Sequence, residues 1–189
     1  MRFNKQSDVS GFTLVEVLIV TAIIGLMSYF LISNFSKTRL DLSETTNMVI
    51  GDIRAVQAKA AASSKFNSQI RCGYGIHYIS ATSYILFAGV ATGPSVNCSL
   101  KVKNFDAEDA VLETKNLFDS RVEIKNKFSD IFFEPPNPRT YINNNSGLTL
   151  SQAIIIGKKN AACSAKDCKT ICVYNSGKIE TLNGSQVCP

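Results

Sequence analysis

A long apolar run near the start of the chain constrains its fold more than any other feature. The 21 residues from Phe12 to Ile32 include only one charged side chain, that of Glu16. At 1.5 Å per residue, a helix of this length measures about 31 Å, close to the roughly 30 Å hydrocarbon core of a bilayer. We therefore predict a membrane-spanning helix. A carboxylate within it costs about 2.5–3.5 kcal/mol on insertion scales, which makes Glu16 a candidate functional residue.

The eleven residues before this run have the properties of a leader peptide. They carry Arg2, Lys5 and Asp8 and contain no apolar segment of their own. A secretory signal peptide has its apolar segment before the cleavage site. Here the apolar segment follows the only plausible site, between Gly11 and Phe12. Cleavage there would remove the leader and leave the helix attached to the mature chain.

The residues around this site carry a family resemblance. Gly11, Phe12, Thr13, Leu14 and Glu16 stand where the type IV pilins and type II secretion pseudopilins have their N-terminal motif. The resemblance implies that prepilin peptidase cleaves after Gly11 and that Phe12 becomes the N-methylated first residue. An ordinary signal anchor with a chance glutamate is the alternative. It explains the helix but neither the glutamate nor the leader.

The same resemblance implies a role for Glu16 in assembly and register. In the family's filaments this carboxylate lies against the N-terminal amine of a neighbouring subunit, which here would be the amine of Phe12. An opposite charge offsets part of the cost of burying the carboxylate in an apolar helical core. The pair would also set the axial offset between neighbouring subunits.

The helix is predicted to continue beyond the apolar run. Apolar or small residues recur at helical spacing, and no proline precedes Pro94. They are Phe35, Leu42, Thr46, Val49, Ile53, Val56 and Ala60. One helix is therefore expected from about Phe12 to about Ser63. Many pilins have a proline near the end of the membrane segment, where this chain has Ser33 and Asn34. The predicted organisation is a leader (1–11), a transmembrane or filament-core helix (12–32), its amphipathic continuation (33–63) and a C-terminal domain (64–189).

All six cysteines of the chain follow the helix, and their even number indicates disulfides in an oxidising compartment. They are Cys72, Cys98, Cys163, Cys168, Cys172 and Cys188. This places the C-terminal domain on the extracytoplasmic side. We expect Cys72 to pair with Cys98 and the last four to form two local bridges. A metal site is the alternative, although the spacing lacks the C-x2-C pairs of common zinc sites. Free thiols also remain open.

The C-terminal domain is predicted to be rich in β-strands. Residues 75–79 and 84–87 predict a hairpin, and residues 121–125 alternate with period two. The strand at 131–133 ends before three prolines, which are excluded from central strands. Further strands are predicted at 148–156, 170–174 and 178–182, with a loop at 143–147 and a turn at 175–177.

The order of these elements indicates an α+β fold, in which a long N-terminal helix packs on a C-terminal antiparallel β domain. That arrangement resembles the type IV pilin fold. A looser resemblance, which rests on residue pattern and element order, is to the GspH/FimT type of minor subunit, which has two small sheets packed on the helix.

The sequence offers no catalytic motif and predicts no enzyme, cofactor or metal. It contains no HExxH helix, nucleophile elbow, P-loop or glycine-rich dinucleotide turn. His77 is interpreted as a residue of a sheet face rather than a base. Asp130 and Glu134 could pair for acid–base work, although solvated surface charge is the simpler interpretation.

The positive charge of the chain is modest. Without the leader it has 20 − 2 = 18 basic and 15 − 1 = 14 acidic side chains, a net charge of +4. Lysines cluster near the late cysteines at Lys158, Lys159, Lys166 and Lys169. Such a cluster could contact DNA phosphates. It lacks interleaved aromatic residues for stacking on single strands, so a solvated loop is favoured over DNA as a partner.

These observations predict a structural subunit, most simply a minor pilin or pseudopilin with a priming or tip role. The resemblance implies four partners: prepilin peptidase, other subunits contacted through the N-terminal helix, an inner-membrane assembly platform and the lipid bilayer. It also implies a single-pass inner-membrane protein that later enters a pilus or pseudopilus. A membrane-anchored extracytoplasmic binding domain that does not polymerise is the alternative from a different class.

Overall fold

A single long helix precedes all of the strands. The computed structural model describes residues 13–147 and 149–189, and for residues 31–41 it describes the backbone alone. Helix α1 spans Leu14–Ala61, 48 residues. The predicted bounds, 12 and 63, agree within the usual uncertainty of helix ends, although Phe12 lies outside the described residues. Contacts divide the chain into two units with a boundary between Leu40 and Asp41, within α1.

The second part of α1 buries the predicted face. Its buried apolar residues are Leu42, Val49, Ile53, Val56 and Ala60, each at most 3% exposed. Thr46 is also buried, and its hydroxyl donates a 2.6 Å hydrogen bond to the carbonyl of Leu42, which satisfies the polar group within the helix. The helical spacing read from the sequence is therefore confirmed for these six residues. The side chain of Phe35 lies outside the described part.

The described residues after α1 form eleven short strands in three antiparallel sheets. The strands are β1 (Lys65–Phe66), β2 (Gln69–Ile70), β3 (Tyr74–Ser80), β4 (Ser83–Ala88), β5 (Ala110–Asn116), β6 (Val122–Ile124), β7 (Ile131–Glu134), β8 (Arg139–Ile142), β9 (Ser151–Lys158), β10 (Cys168–Tyr174) and β11 (Ile179–Asn183). Strands β1 and β2 form a two-stranded ribbon. The larger sheets have the orders β5-β4-β3-β7-β8 and β11-β10-β9-β6. The fold is α+β, as predicted.

One apolar core joins the buried face of α1 to both larger sheets. Tyr74 and Ile76 of β3 point into it from the five-stranded sheet, and Ile154 and Ile156 of β9 point into it from the four-stranded sheet. Their spacing of two is the period of a strand that buries one face. Because the two sheets and the helix share this core, the second unit buries enough apolar surface to be stable as one body.

The other face of the five-stranded sheet is covered by residues 89–109, here called the covering loop. Its Phe105 ring lies 5.2 Å from the ring of Phe87 on β4. Gly75 is required beside this ring, because a Cβ there would lie 2.6 Å from Cε1 of Phe87. A disulfide between Cys72 and Cys98 fastens the loop to Cys72, two residues before the start of β3.

Several predicted strands are confirmed, and others are corrected. The hairpin β3–β4, strands β6 and β7, and the hairpin β10–β11 lie where they were predicted. The strand predicted at 148–156 is wrong at both ends, since β9 runs from Ser151 to Lys158. A turn in which the N–H of Leu150 donates to the carbonyl of Gly147 delays its start. Position 148 itself lies outside the described residues.

Strands β5 and β8 were not predicted. The prolines at 135, 136 and 138 do end β7, but they also form the turn of a hairpin in which Glu134 pairs with Arg139. Strand β5 lies at a sheet edge, where its Val111 is 46% exposed. Because neither face of this strand is regularly buried, its residues do not alternate clearly between apolar and polar, and the pattern did not predict a strand.

Among the described residues, no helix combines the length and the hydropathy needed to cross a membrane. The span predicted from Phe12 to Ile32 has its first residue outside the described part, and its last two residues are described by their backbone alone.

Candidate functional site

The first turn of α1 forms a cap from the residues of the predicted motif. Thr13 precedes the helix, and its Oγ1 accepts a 3.3 Å hydrogen bond from the backbone N–H of Glu16. The Thr13 hydroxyl also donates to Oε2 of Glu16 at 3.5 Å. The backbone N–H groups of Glu16 and Val17 donate to the carbonyl of Thr13 at 3.0 and 3.2 Å. The residues have the Ser/Thr-x-x-Glu spacing of a capping box, in which the Thr13 hydroxyl satisfies the Glu16 N–H and the carboxylate contacts that hydroxyl.

The sequence carried this capping signal, but the sequence-based interpretation treated Glu16 only as an assembly residue. The Thr-x-x-Glu spacing directly before an apolar run is recognisable without a structure. It adds a second reason for a carboxylate at this position, because negative charge near a helix N-terminus is favoured by the helix dipole. A carboxylate at Glu16 is therefore also compatible with the helix start of its own subunit.

The carboxylate of Glu16 retains capacity for a further partner. Its contact with the Thr13 hydroxyl is at the long limit for a hydrogen bond, and a carboxylate accepts at about four lone-pair positions. Burying it in an apolar setting without a cation would be costly. The arrangement is therefore suited to receive one positive charge at the start of the helix.

The helix surface around Glu16 is apolar and exposed on every side. Leu14 is 81% exposed, and the large apolar side chains that follow it to Phe30 are each at least 50% exposed. They are Val15, Val17, Leu18, Ile19, Val20, Ile23, Ile24, Leu26, Met27 and Tyr29. Thr21 fits this surface because its hydroxyl donates back to the carbonyls of Val17 and Leu18 at 3.0 Å. A helix that is apolar all round requires an apolar environment or other helices.

Two of the predicted site residues cannot be placed. Gly11 and Phe12, the predicted cleavage and methylation residues, lie outside the described residues. Their assignment rests on the sequence. Of the residues predicted for cleavage, methylation and assembly, the structure describes Glu16, which contacts Thr13.

The six cysteines form three disulfides, which fits the expected extracytoplasmic domain. Cys72 pairs with Cys98, Cys163 with Cys168 and Cys172 with Cys188, with Cα atoms 5.2–5.6 Å apart. All six cysteines are engaged in this way, so none is available as a metal ligand. In the part of the chain that the structure describes, no cluster of His, Cys, Asp or Glu is suited to a metal ion.

The carboxylates of Asp130 and Glu134 do not pair with each other. Asp130 Oδ1 lies 2.7 Å from Nδ1 of His77, which lies on β3 as predicted. Glu134 Oε1 accepts a 2.7 Å hydrogen bond from Lys103 Nζ of the covering loop, and its Oε2 accepts another from Tyr141. Lys103 is 3% exposed, so this ion pair fixes the loop rather than serving as a surface acid or base.

The lysine cluster near the late cysteines is partly neutralised. Lys158 Nζ lies 2.8 Å from Oδ1 of Asp167. Hydrogen bonds from Lys158 and Ser164 lower the pKa of this carboxyl. Lys169 Nζ donates to the hydroxyl of Ser43 at 3.1 Å. Two of the four lysines are thus engaged within the domain, and the preference for a solvated loop over DNA as a partner stays an untested prediction.

The comparisons with known proteins identify the N-terminal region. The family model of the prokaryotic N-terminal methylation motif matches residues 6–28, which include the predicted cleavage site and Glu16. No curated protein and no solved structure matched the chain. This match supports the resemblance to the type IV pilins and pseudopilins, whose glycine, phenylalanine and glutamate positions the chain shares.

Proposed function

We propose that this chain is a minor pilin or pseudopilin subunit, which prepilin peptidase cleaves between Gly11 and Phe12 and which then joins a filament through α1. One observation carries the proposal. The carboxylate of Glu16, in contact with the Thr13 hydroxyl, lies at the start of a helix surface that is apolar and exposed on every side. A single helix with such a surface needs lipid before assembly and neighbouring helices after it.

Glu16 supplies the register in this proposal. After cleavage, the amine of Phe12 is the positive group that a neighbouring subunit's Glu16 would meet. In an apolar filament core each charge would be expensive alone, so pairing them favours one axial offset over others. The contact with Thr13 orients the side chain within its own subunit until that partner arrives.

The same helix accounts for the proposed location and partners. The apolar run from Phe12 to Ile32 would hold the processed subunit in the inner membrane, from which an assembly platform would extract it. The three disulfides support an extracytoplasmic site for the β domain, since such bonds persist in oxidising compartments. A priming or tip position is proposed because the β domain, rather than the helix, gives this subunit its individual surface.

The test is the replacement of Glu16 in the full chain produced with its own assembly machinery. Glu16→Ala should abolish recovery of the subunit in sheared filaments, and Glu16→Gln, which keeps the size without the charge, should do the same. Glu44→Gln is the matched control, because Glu44 is an exposed glutamate of the same helix. Immunoblots of the membrane fraction check that each variant is made and processed. Wild-type amounts of Glu16→Ala in filaments would contradict the proposal.

A membrane-anchored binding domain that never polymerises is the second candidate. An open cleft in the β domain favours it, since binding sites are concave and few per protein. The Glu16 variants separate the two. A simple anchor would be indifferent to loss of the carboxylate or would insert better without it.

A further inference from the structure

An open cleft of about 420 Å³ lies beside β3 where its neighbour β7 begins. The pairing of these strands stops at Ile76 opposite Ile131, the first residue of β7. His77 and Tyr78 continue β3 beyond this point, and both line the cleft. The mismatch in strand length thus leaves a gap at the end of the sheet. Its volume is within the roughly 300–1,000 Å³ of typical small-molecule sites.

One wall of the cleft is held in a fixed geometry. Asp130 Oδ1 lies 2.7 Å from Nδ1 of His77, and Asp130 Oδ2 accepts a 2.7 Å hydrogen bond from the N–H of Phe105. The ring of Phe105 lies 4.9 Å from the imidazole. Because a carboxylate only accepts hydrogen bonds, Nδ1 of His77 carries the proton that Asp130 accepts. Nε2 of His77 is therefore left to accept from a ligand hydroxyl.

Other polar groups of the cleft lack partners of their own. Oδ1 of Asn104 is buried and makes no hydrogen bond within the described residues, while its Nδ2 donates to Oδ1 of Asn143 at 3.2 Å. A buried acceptor without a partner calls for a specific explanation, such as a bound molecule. Lys127 also lines the cleft, is exposed and has no ion pair among the described residues.

We propose that this cleft binds a hydroxylated ligand with a single carboxylate, the chemistry of an acidic sugar. Hydroxyl groups would donate to His77 Nε2 and, after a small movement of its side chain, to Asn104 Oδ1. The carboxylate would accept from Lys127 Nζ. A nucleic acid fits less well, because the cleft offers one unpaired lysine for several phosphates.

The experiment measures binding of glucuronate to the full chain in detergent micelles, by titration calorimetry and by saturation-transfer NMR. Glucose supplies the hydroxyl groups without the charge, and acetate supplies the charge without the hydroxyl groups. We expect saturable binding of glucuronate, with a dissociation constant at least about tenfold lower than that of either control. Glucose lacks the charge-assisted contact with Lys127, and acetate lacks the hydroxyl contacts.

Two lysine variants make the test specific. Lys127→Gln should weaken glucuronate binding about fivefold or more, because it removes a charge-assisted hydrogen bond at an exposed position. Lys159→Gln is the control, since it removes the same charge from an exposed lysine outside the cleft. Equal thermal melting of both variants establishes that they fold.

Three results would overturn the proposal: no saturable binding, acetate binding as tightly as glucuronate, or a Lys127→Gln variant that binds like the wild type. Binding of oligogalacturonates of increasing length distinguishes an acidic polysaccharide from a free sugar acid as the source of the ligand. A gain in affinity with oligomer length indicates an acidic polysaccharide, and equal affinity per site indicates a free sugar acid. The test does not involve assembly, so its failure would leave the proposed filament function untouched.

Discussion

The hydroxyl of Tyr84 donates a 2.6 Å hydrogen bond to Oδ2 of Asp52, which joins strand β4 to helix α1. Tyr84 is fully buried, and burial, together with the bond to Asp52, raises the pKa of its hydroxyl. Lys115 Nζ lies 3.9 Å from the other carboxylate oxygen of Asp52. At this junction of helix and sheet, the neutral hydroxyl of Tyr84 therefore donates to the carboxylate of Asp52, whose negative charge Lys115 partly compensates.

The Tyr84→Phe variant should lose about 1–3 kcal/mol of unfolding free energy, because it removes the donor from a largely buried carboxylate. Urea denaturation of the full chain in micelles measures this loss. Tyr78→Phe is the control, since the Tyr78 hydroxyl has no hydrogen-bond partner among the described residues. Equal stability of the two variants would contradict the assigned role of the Tyr84–Asp52 bond.

Asp109 of the covering loop should make stability depend on pH. Burial raises the pKa of its carboxyl to about 6, and the negative charges of Asp106, Glu108 and Asp130 add to this effect. The folded chain then binds a proton more tightly than the unfolded chain, whose carboxyl has its ordinary pKa of 3.8. The free energy of unfolding should therefore fall as the pH rises from about 4 through about 6.

The Asp109→Asn variant tests this dependence, because an amide can still accept the N–H of Asp106 but has no charge to bury. It should be about 1–2 kcal/mol more stable than the wild type at pH 7, after allowance for partial solvent exposure, and nearly equal to it at pH 4. Urea denaturation at both pH values gives the comparison, with Glu44→Gln as an exposed control. A stability difference that is the same at both pH values would exclude this role.

Glycines at two positions should respond in opposite directions to alanine. A Cβ at Gly75 would lie 2.6 Å from Phe87 and 2.7 Å from the carbonyl oxygen of Ile131, so Gly75→Ala should cost about 2 kcal/mol or more. At Gly51 of α1 nothing lies within 4 Å of an added Cβ, and Gly51→Ala should stabilise by up to about 1 kcal/mol. Thermal melting measures both. A stable Gly75→Ala variant would show that β3 is not packed against Phe87 and Ile131 as described.

The loss of unfolding free energy on removal of a disulfide should increase with the length of the loop that the disulfide closes. The bond between Cys72 and Cys98 spans 26 residues, and that between Cys163 and Cys168 spans 5. Loop-closure entropy assigns about 3.5 kcal/mol to the first and about 2 kcal/mol to the second. Paired Cys→Ala variants, compared by urea denaturation, should keep this order. The reverse order would mean that the covering loop stays in place without its disulfide.

The sequence predicted the parts of this molecule that depend on local pattern. The repeat from Leu42 to Ala60 identified the buried helix face, because helical spacing alone decides which residues share a face. The turn at 175–177 identified the last hairpin for a similar reason. The residues Gly11, Phe12 and Glu16 predicted the N-terminal methylation motif, which the family model matches.

Contacts between residues that are distant in the sequence could not be predicted from local pattern. His77 and Asp130 are 53 positions apart in the sequence, and they meet because β3 extends beyond the first residue of β7. Lys103 and Glu134 meet because the covering loop folds back over the sheet. Neither the order of strands in a sheet nor the path of a loop is encoded in periodicity, so the cleft could not be predicted.

The most direct test of the central proposal is the intact mass of the membrane-extracted chain, produced with and without prepilin peptidase. We predict that the peptidase removes residues 1–11 and that the mature chain, beginning at Phe12, carries one added methyl group. Without the peptidase, the full mass should remain. A chain that keeps residues 1–11 in the presence of an active peptidase would contradict the account and favour a simple membrane anchor.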